Sequence, residues 1–172
     1  MSTSPTPTLE VNRRLRLGRA WWAVPVVAVA VTAGWVATHP PALPLTQGPV
    51  TASAPAGESV FVGAFTPGSD FDRTLSISGI KLHATSSVEL TLTPWLCRGG
   101  SVSVTVRPEA FCETMVNPEG QTLTRGDSIV VEATGAAEGA AVIDPVRIAY
   151  RDGLQWATQR AGAEITLRVL PR

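Results

Sequence analysis

The side chains with the clearest chemistry beyond residue 58 are two cysteines, a methionine and a histidine. Cys97 and Cys112 are 15 positions apart, Met115 follows them, and His83 precedes them. A copper site that uses two histidines, one cysteine and a weak methionine ligand would need a second imidazole. The ligand set is therefore incomplete, and the sequence predicts no copper site and no other cofactor.

Catalytic chemistry has no complete set of residues either. Hydrolysis requires a nucleophile, a base and a group that orients the base. His83 is the one histidine after residue 58, and no G-x-S-x-G sequence occurs. Asp70 and Asp72 have oxygen atoms that suit Ca²⁺, although aspartates are also common in ordinary turns. We predict that the protein is not an enzyme, and a module that binds a small ligand or a metal (Ca or Cu) is the alternative.

Arg125, Gly126 and Asp127 form the tripeptide that integrins recognise on matrix proteins. A tripeptide is short enough to occur by chance. The preferred interpretation is a glycine turn before a strand that starts at Ser128, with the aspartate accepting hydrogen bonds from local amides.

The distribution of charge argues against nucleic acid as a partner. The chain has 14 basic and 14 acidic side chains, but from Glu58 onward there are ten basic and thirteen acidic ones. A nucleic-acid-binding domain presents a surface rich in lysine and arginine on its folded part. We therefore predict that the protein binds no nucleic acid.

A long apolar segment precedes this part of the chain. Residues 20–38 contain no charged side chain, with Trp21 and Trp22 near one end and Trp35 near the other. A helix of this length spans about 28 Å, close to the hydrocarbon thickness of a bilayer. Tryptophan rings favour the two membrane interfaces. We predict a transmembrane helix, with a signal peptide cleaved after small residues such as 31–33 as the alternative.

Charged residues around this segment predict its orientation. Arg13, Arg14, Arg16 and Arg19 precede it, and the next basic side chain is Arg73. Basic residues remain on the cytoplasmic side of a membrane. We therefore expect a bacterial cell-membrane protein with a cytoplasmic N-terminus and an extracytoplasmic C-terminal domain.

The segments on either side of the apolar stretch have distinct compositions. Residues 1–19 begin with a Ser/Thr/Pro-rich stretch and end in arginines, which predicts a disordered basic cytoplasmic arm. Residues 39–57 contain five prolines, which favour an extended, semi-rigid chain. We predict that residues 39–57 form a linker that holds the domain at 58–172 away from the membrane.

Hydrophobic residues alternate with polar ones through residues 58–172, which predicts an all-β domain. Short alternating runs separated by turn residues are typical of an antiparallel sandwich, here one of about eight strands with an immunoglobulin-like arrangement of two sheets. Gly79 shifts the phase of one run, as a bulge would. Arg151-Asp152-Gly153 between two runs predicts a hairpin. The predicted strands occupy residues 59–65, 74–84, 88–93, 102–107, 128–133, 146–150, 154–158 and 165–170.

Two cysteines in an exported domain predict a disulfide bond between Cys97 and Cys112. A full strand over residues 102–107 would carry the chain about 20 Å from Cys97 and leave few residues for its return. Either the glycine-containing loop after Cys97 is wider than a tight turn, or this strand is shorter than its alternation indicates.

Tyr150 and Trp156 lie on the two strands of the predicted hairpin. Large aromatic side chains at such positions form the core or a cross-strand pair. If both rings face outward, they would mark a possible partner surface.

The order of these segments resembles that of uncharacterised single-pass membrane proteins of actinobacteria that carry a small β-sandwich outside the membrane. The resemblance is carried by the basic arm, the tryptophan-flanked segment, the Pro-rich stretch and the closing sequence VRIAYRDGLQWATQRAG. It implies the architecture and no activity. We expect a non-catalytic cell-envelope protein that binds a protein or cell-wall partner, or serves as an accessory subunit of a membrane complex.

Overall fold

The computed structural model describes residues 23–38 and 40–172. The chain divides into two compact units between Trp35 and Val36. Several predictions concern residues outside the described ranges: the basic arm at 1–19, Arg13, Arg14, Arg16, Arg19, Trp21 and Trp22.

The described part of the apolar segment forms one helix, α1 (Ala23–Thr38). Pro25 lies in its first turn, where the missing N–H costs least. The Thr32 hydroxyl donates a hydrogen bond of 2.8 Å to the carbonyl oxygen of Ala28. In the described residues, no helix is both long and apolar enough to cross a membrane.

From residue 40 onward the regular secondary structure consists of strands, with one short 3-10 turn at Pro108–Ala110. The strands are β1 (Val50–Pro55), β2 (Ser59–Phe65), β3 (Leu75–Lys81), β4 (Ala84–Ser86), β5 (Leu90–Arg98), β6 (Val104–Thr105), β7 (Thr114–Val116), β8 (Thr122–Leu123), β9 (Ser128–Gly135), β10 (Gly139–Ile143), β11 (Val146–Asp152), β12 (Gln155–Ala161) and β13 (Ile165–Leu170).

These strands form three hydrogen-bonded sheets in the described residues. The terminal sheet has the order β1-β13-β10-β4, the hairpin sheet has the order β12-β11-β3-β8, and the five-stranded sheet has the order β6-β2-β9-β5-β7. All neighbours are antiparallel except β1 and β13, which run parallel. The three sheets surround one hydrophobic core.

Alternating side chains from all three sheets fill this core, as a period of two residues requires. Full burial of each large aliphatic side chain contributes about 1.5–3 kcal/mol relative to exposure. The largest fully buried side chains are Tyr150, Leu75, Ile77, Leu96, Leu123, Ile129, Ile143, Ile148, Ile165, Leu167, Val60 and Val62.

The all-β prediction is confirmed, but the strands are more numerous and more divided than predicted. They form three sheets around the core, where a two-sheet arrangement of about eight antiparallel strands was expected. The additional strands are short, such as β7 and β8, or rich in alanine and glycine, such as β10. Such sequences carry little hydrophobic alternation, so the pattern did not reveal them.

The predicted linker at 39–57 is wrong for most of its length. Strand β1 lies within it and pairs with β13 from Val50↔Ile165 onward. Leu43 is only 4% exposed, and its N–H donates a 2.8 Å hydrogen bond to the Gln159 side chain. Prolines at the ends of short extended segments are compatible with edge strands. The Pro-rich stretch is therefore extended, as predicted, but it is part of the folded domain.

Two local predictions in the hairpin sheet are confirmed. Strands β11 and β12 form a hairpin with Asp152 opposite Gln155, and Gly153 adopts a positive φ of 57° at the first turn position. A glycine there suits the two-residue turns that join twisted strands. The pairing of β11 with β3 shifts register between Ala149 and Tyr150, so β3 contains the bulge expected near Gly79.

Tyr150 does not belong to an exposed surface. Its side chain is 1% exposed, whereas Trp156 is 63% exposed. Arg151, not Tyr150, is directly opposite Trp156, so the two aromatic rings lie on opposite faces of the sheet. Tyr150 therefore belongs to the core, which was one of the two positions expected for it, and it does not form the possible partner surface with Trp156.

Arg73 satisfies the buried phenol oxygen of Tyr150. Its guanidinium donates to the Tyr150 hydroxyl at 3.2 Å and forms a 2.8 Å ion pair with Asp152. Partial burial by itself lowers the pKa of Arg73, but these hydrogen bonds outweigh burial and raise that pKa above its usual range. The arginine thus links β11 to the segment that precedes β3.

The different environments of the two aromatic side chains predict different costs of truncation. Tyr150→Ala is expected to lower the free energy of unfolding by about 3–5 kcal/mol because it leaves a cavity in the core. Trp156→Ala should change it by no more than about 0.5 kcal/mol, as is usual for exposed positions. Urea unfolding of the two variants measures both values, and equal costs would contradict the assignment of faces.

Candidate partner-binding groove

A long excursion between β5 and β7 covers the outer face of the five-stranded sheet. The excursion comprises residues 99–113, and we call it the crossing loop. It leaves β5 next to one edge, reaches the opposite edge where β6 pairs with β2, and returns to β7 beside β5. The crossing loop therefore passes over the sheet in both directions.

The disulfide bond between Cys97 and Cys112 fixes the return of this loop, as predicted. Its S–S distance is 2.02 Å and its Cα atoms are 5.2 Å apart. Of the predicted strand at 102–107, only Val104–Thr105 is paired. The second of the two alternatives for this region is therefore correct: the strand is shorter than its alternation indicated.

Two glycines permit the close contact between the crossing loop and its surroundings. A Cβ atom at Gly63 would collide with the carbonyl oxygen of Val102, and one at Gly100 would collide with that of Phe111. The Gly63 N–H also donates a 2.9 Å hydrogen bond to the carbonyl oxygen of Ser103. Only a residue without a side chain fits at such separations.

The crossing loop buries a small second core on the outside of the sheet. Val102 and the disulfide cover Val130, and all of these side chains are buried. Strand β9 consequently has buried side chains on both faces, since four consecutive residues, 128 to 131, are all buried. Its continuous apolar run thus reflects cover on two sides.

Asp127 secures the loop at the end next to β9. Its carboxylate is 6% exposed and accepts hydrogen bonds from Arg98 Nη1 at 3.0 Å and from the Gly99 N–H at 3.3 Å. It also accepts bonds from the N–H and the hydroxyl of Thr124, at 3.0 Å and 2.9 Å. The turn interpretation of Arg125-Gly126-Asp127 is therefore confirmed, because this carboxylate is committed to internal donors.

An open groove of about 540 Å³ lies between the crossing loop and the sheet. Its floor consists of the partly buried side chains of Phe61, Trp95 and Met115. The indole N–H of Trp95 donates a 2.9 Å hydrogen bond to a carboxylate oxygen of Glu132, which fixes the ring. The remaining lining residues are Pro108, Glu109, Cys112, Glu113 and Thr114.

Three carboxylates border this aromatic floor. Glu109 and Glu113 are exposed, and Glu132 is half-buried. In the part of the chain that the structure describes, none of them forms an ion pair. The groove is therefore an apolar surface with an unneutralised negative border, which suits a ligand that has both a cationic and an apolar group.

The structure brings together only some of the residues singled out in the sequence. Met115 is directly opposite Cys97, while His83 is exposed and lies outside the groove. Asp70 and Asp72 are exposed, and no group of three or more potential metal ligands occurs in the described residues.

Sequence analysis missed the roles of Phe61 and Glu132 in the groove. Glu132 is the single charged residue within the apolar strand β9, in the sequence SIVVEATG. A carboxylate in such a strand must find a partner or face solvent. The charged residue within an apolar strand was the available sign that Glu132 has a special role. The proximity of Glu132 to Trp95 could not be predicted, because it depends on the register of β5 and β9.

Comparison of the chain with protein families, curated proteins and solved structures finds no match. The chemistry and geometry of the groove are therefore the features that bear on function. Those features make the groove a candidate binding surface, with an aromatic floor, a charged border and a covalently secured wall.

Removal of the disulfide is expected to destabilise the domain and loosen the groove. The variant Cys97→Ala/Cys112→Ala should lose about 3 kcal/mol of unfolding free energy, since the bond closes a loop of roughly 15 residues. Urea unfolding of this variant and of the oxidised and reduced native chain measures the loss. A change below about 1 kcal/mol would contradict a supporting role for the bond.

Asp127→Asn is expected to lower the unfolding free energy by about 2 kcal/mol, because charge-assisted bonds to Arg98 and to two backbone amides are weakened. Asp70→Asn is a matched control, as Asp70 is exposed in a turn. Chemical denaturation of both variants provides the comparison. An equal effect of the two substitutions would show that Asp127 does not hold the loop.

Proposed function

We propose that this chain is a non-catalytic cell-envelope protein, anchored in a bacterial membrane, whose β domain binds a protein partner in the groove beside the disulfide. The observation that carries the proposal is the acid-bordered aromatic floor of Phe61, Trp95 and Met115. Surfaces of this composition are enriched at protein interfaces, where aromatic residues and methionine supply much of the contact.

Export is supported by the disulfide bond, because such bonds persist in oxidising compartments. Anchoring is supported by the absence of charged side chains in residues 20–38, of which residues 23–38 are helical. The four arginines before residue 20 support a cytoplasmic N-terminus. Cleavage within the segment, the alternative, would give a secreted protein with the same groove.

The chemistry of the groove favours a basic and apolar segment of the partner. A guanidinium or ammonium group would neutralise Glu109, Glu113 or Glu132, and it could also contact the face of an aromatic ring. An adjacent apolar side chain would pack on Met115, whose flexible thioether adapts to different shapes.

The crossing loop extends this surface beyond the groove. Val106 and Phe111 are 63% and 55% exposed on it. Large exposed apolar side chains next to a groove are typical of interaction sites. A surface of this extent favours a protein partner over a small ligand.

Synthetic peptides test the proposed chemistry. Peptides that alternate arginine with leucine or phenylalanine should bind the full chain, and acidic peptides of the same length should not. Trp95→Ala should weaken binding by at least about 30-fold, as for a central aromatic contact, and Glu132→Gln by about 10-fold through loss of charge. Titration calorimetry measures the affinities, and Glu138→Gln is the control because Glu138 is exposed on another loop.

Cross-linking in cells tests the same groove without a chosen ligand. A photoreactive residue at Thr114 should capture a partner whose yield falls in Trp95→Ala, whereas one at Glu138 should not. Identical products from the two positions, or equal affinities for basic and acidic peptides, would overturn the proposal. Binding of small cationic molecules without peptide selectivity would instead favour a ligand-binding module.

A further inference from the structure

The outer face of the hairpin sheet carries a row of cations. Arg147 in β11 is directly opposite Arg160 in β12 and directly opposite Lys81 in β3. Residues in direct register lie on the same face, and neighbouring strands are about 4.8 Å apart. All three side chains are exposed, so three positive charges occupy one line across the sheet.

None of these three side chains has an intramolecular partner among the described residues. No hydrogen bond or ion pair of Lys81, Arg147 or Arg160 is found there. Like charges in direct register destabilise a sheet. Because no carboxylate of the described residues neutralises this row, the repulsion between its charges would be relieved by an anionic ligand outside the chain.

Exposed apolar side chains lie on the same hairpin. Leu154 at the turn is 89% exposed, and Trp156 is 63% exposed. Arg151 lies next to Trp156 with its guanidinium 5.6 Å from the ring centroid. This combination of tryptophan, leucine and arginine is characteristic of residues at a membrane interface, where rings and aliphatic groups enter the headgroup region.

The covalent chain limits how far β12 can lie from the end of the apolar segment. The Pro40 carbonyl oxygen accepts a 3.3 Å hydrogen bond from the side chain of Gln159 in β12. Helix α1 ends at Thr38, and two residues of chain reach at most about 7 Å. If residues 20–38 occupy a bilayer, as the proposed function holds, β12 must lie near the surface of that bilayer.

We infer that the hairpin formed by β11 and β12 docks on an anionic phospholipid surface. Lys81, Arg147 and Arg160 contact the headgroups, and Leu154 and Trp156 enter the interface. This inference rests on the proposed anchoring but not on the proposed partner of the groove, which lies on a different sheet. Anionic lipid is preferred over a soluble acidic partner because the same hairpin presents apolar groups and is tethered to the helix.

A fluorescent probe at the hairpin turn tests the inference in the full chain. Both native cysteines are bonded to each other, so Leu154→Cys provides the one reactive thiol for an environment-sensitive dye. The labelled chain is reconstituted into phosphatidylcholine bilayers that contain increasing fractions of phosphatidylglycerol. The dye emission should shift to the blue as phosphatidylglycerol increases, and high salt should reverse the shift. A dye at Glu138→Cys should not respond.

Charge reversal separates the cationic row from the total charge. Arg147→Glu, added to the labelled chain, should lower the docking equilibrium constant by at least about 10-fold, because the change spans two units of charge near the surface. Arg168→Glu is the matched control, since Arg168 is an exposed residue in a strand of the terminal sheet. Among the described residues, Arg168 forms no ion pair. Thermal unfolding of Arg147→Glu verifies that the fold is kept.

Each result has a defined meaning. A dye signal that is independent of phosphatidylglycerol, or equal effects of Arg147→Glu and Arg168→Glu, would overturn the inference. A response to soluble polyglutamate in neutral bilayers, without a response to phosphatidylglycerol, would assign the row to an acidic protein and also overturn it. Failure of the anchoring itself is distinguishable, because alkaline carbonate would then release the chain from the bilayers.

Discussion

The covalent attachment of the crossing loop to β5 determines how the five-stranded sheet is covered. Besides the bond between Cys97 and Cys112, the loop is held over Val130 by Asp127, by the Ser128 hydroxyl, which donates to the Gly100 carbonyl oxygen, and by the pairing of β6 with β2. The groove exists because the sheet provides its floor and the crossing loop provides its wall. The stability of this region and the shape of the groove therefore depend on the same bond, which supplements the core of a small domain.

The near-neutral composition conceals a separation of charge between two sheets. The groove on the five-stranded sheet is bordered by glutamates, whereas the hairpin sheet carries Lys81, Arg147 and Arg160 in one row. A count over residues 58–172 averages these surfaces. That count led to the prediction of no nucleic-acid partner, which remains a prediction, and it could not reveal a cationic face that depends on the register of three strands.

Features set by local sequence were predictable, and features set by long-range pairing were not. Strands β2 and β13, the hairpin at Gly153 and the bulge in β3 follow from alternation and turn residues. The disulfide followed from the expectation that two cysteines in an exported domain form a bond. The parallel pairing of β1 and the proximity of Trp95 to Glu132 depend on partners that are remote in sequence, for which alternation gives no information.

The parallel pairing of β1 with β13 has a consequence for biosynthesis. Strand β13 lies between β1 and β10 in this sheet. The hydrogen-bond ladder of β1 begins at Val50 opposite Ile165, so it cannot form before β13 has been synthesised. The terminal sheet is therefore incomplete until nearly the whole domain has left the ribosome. Because long-range pairing is also slow, the terminal sheet is expected to close late in folding.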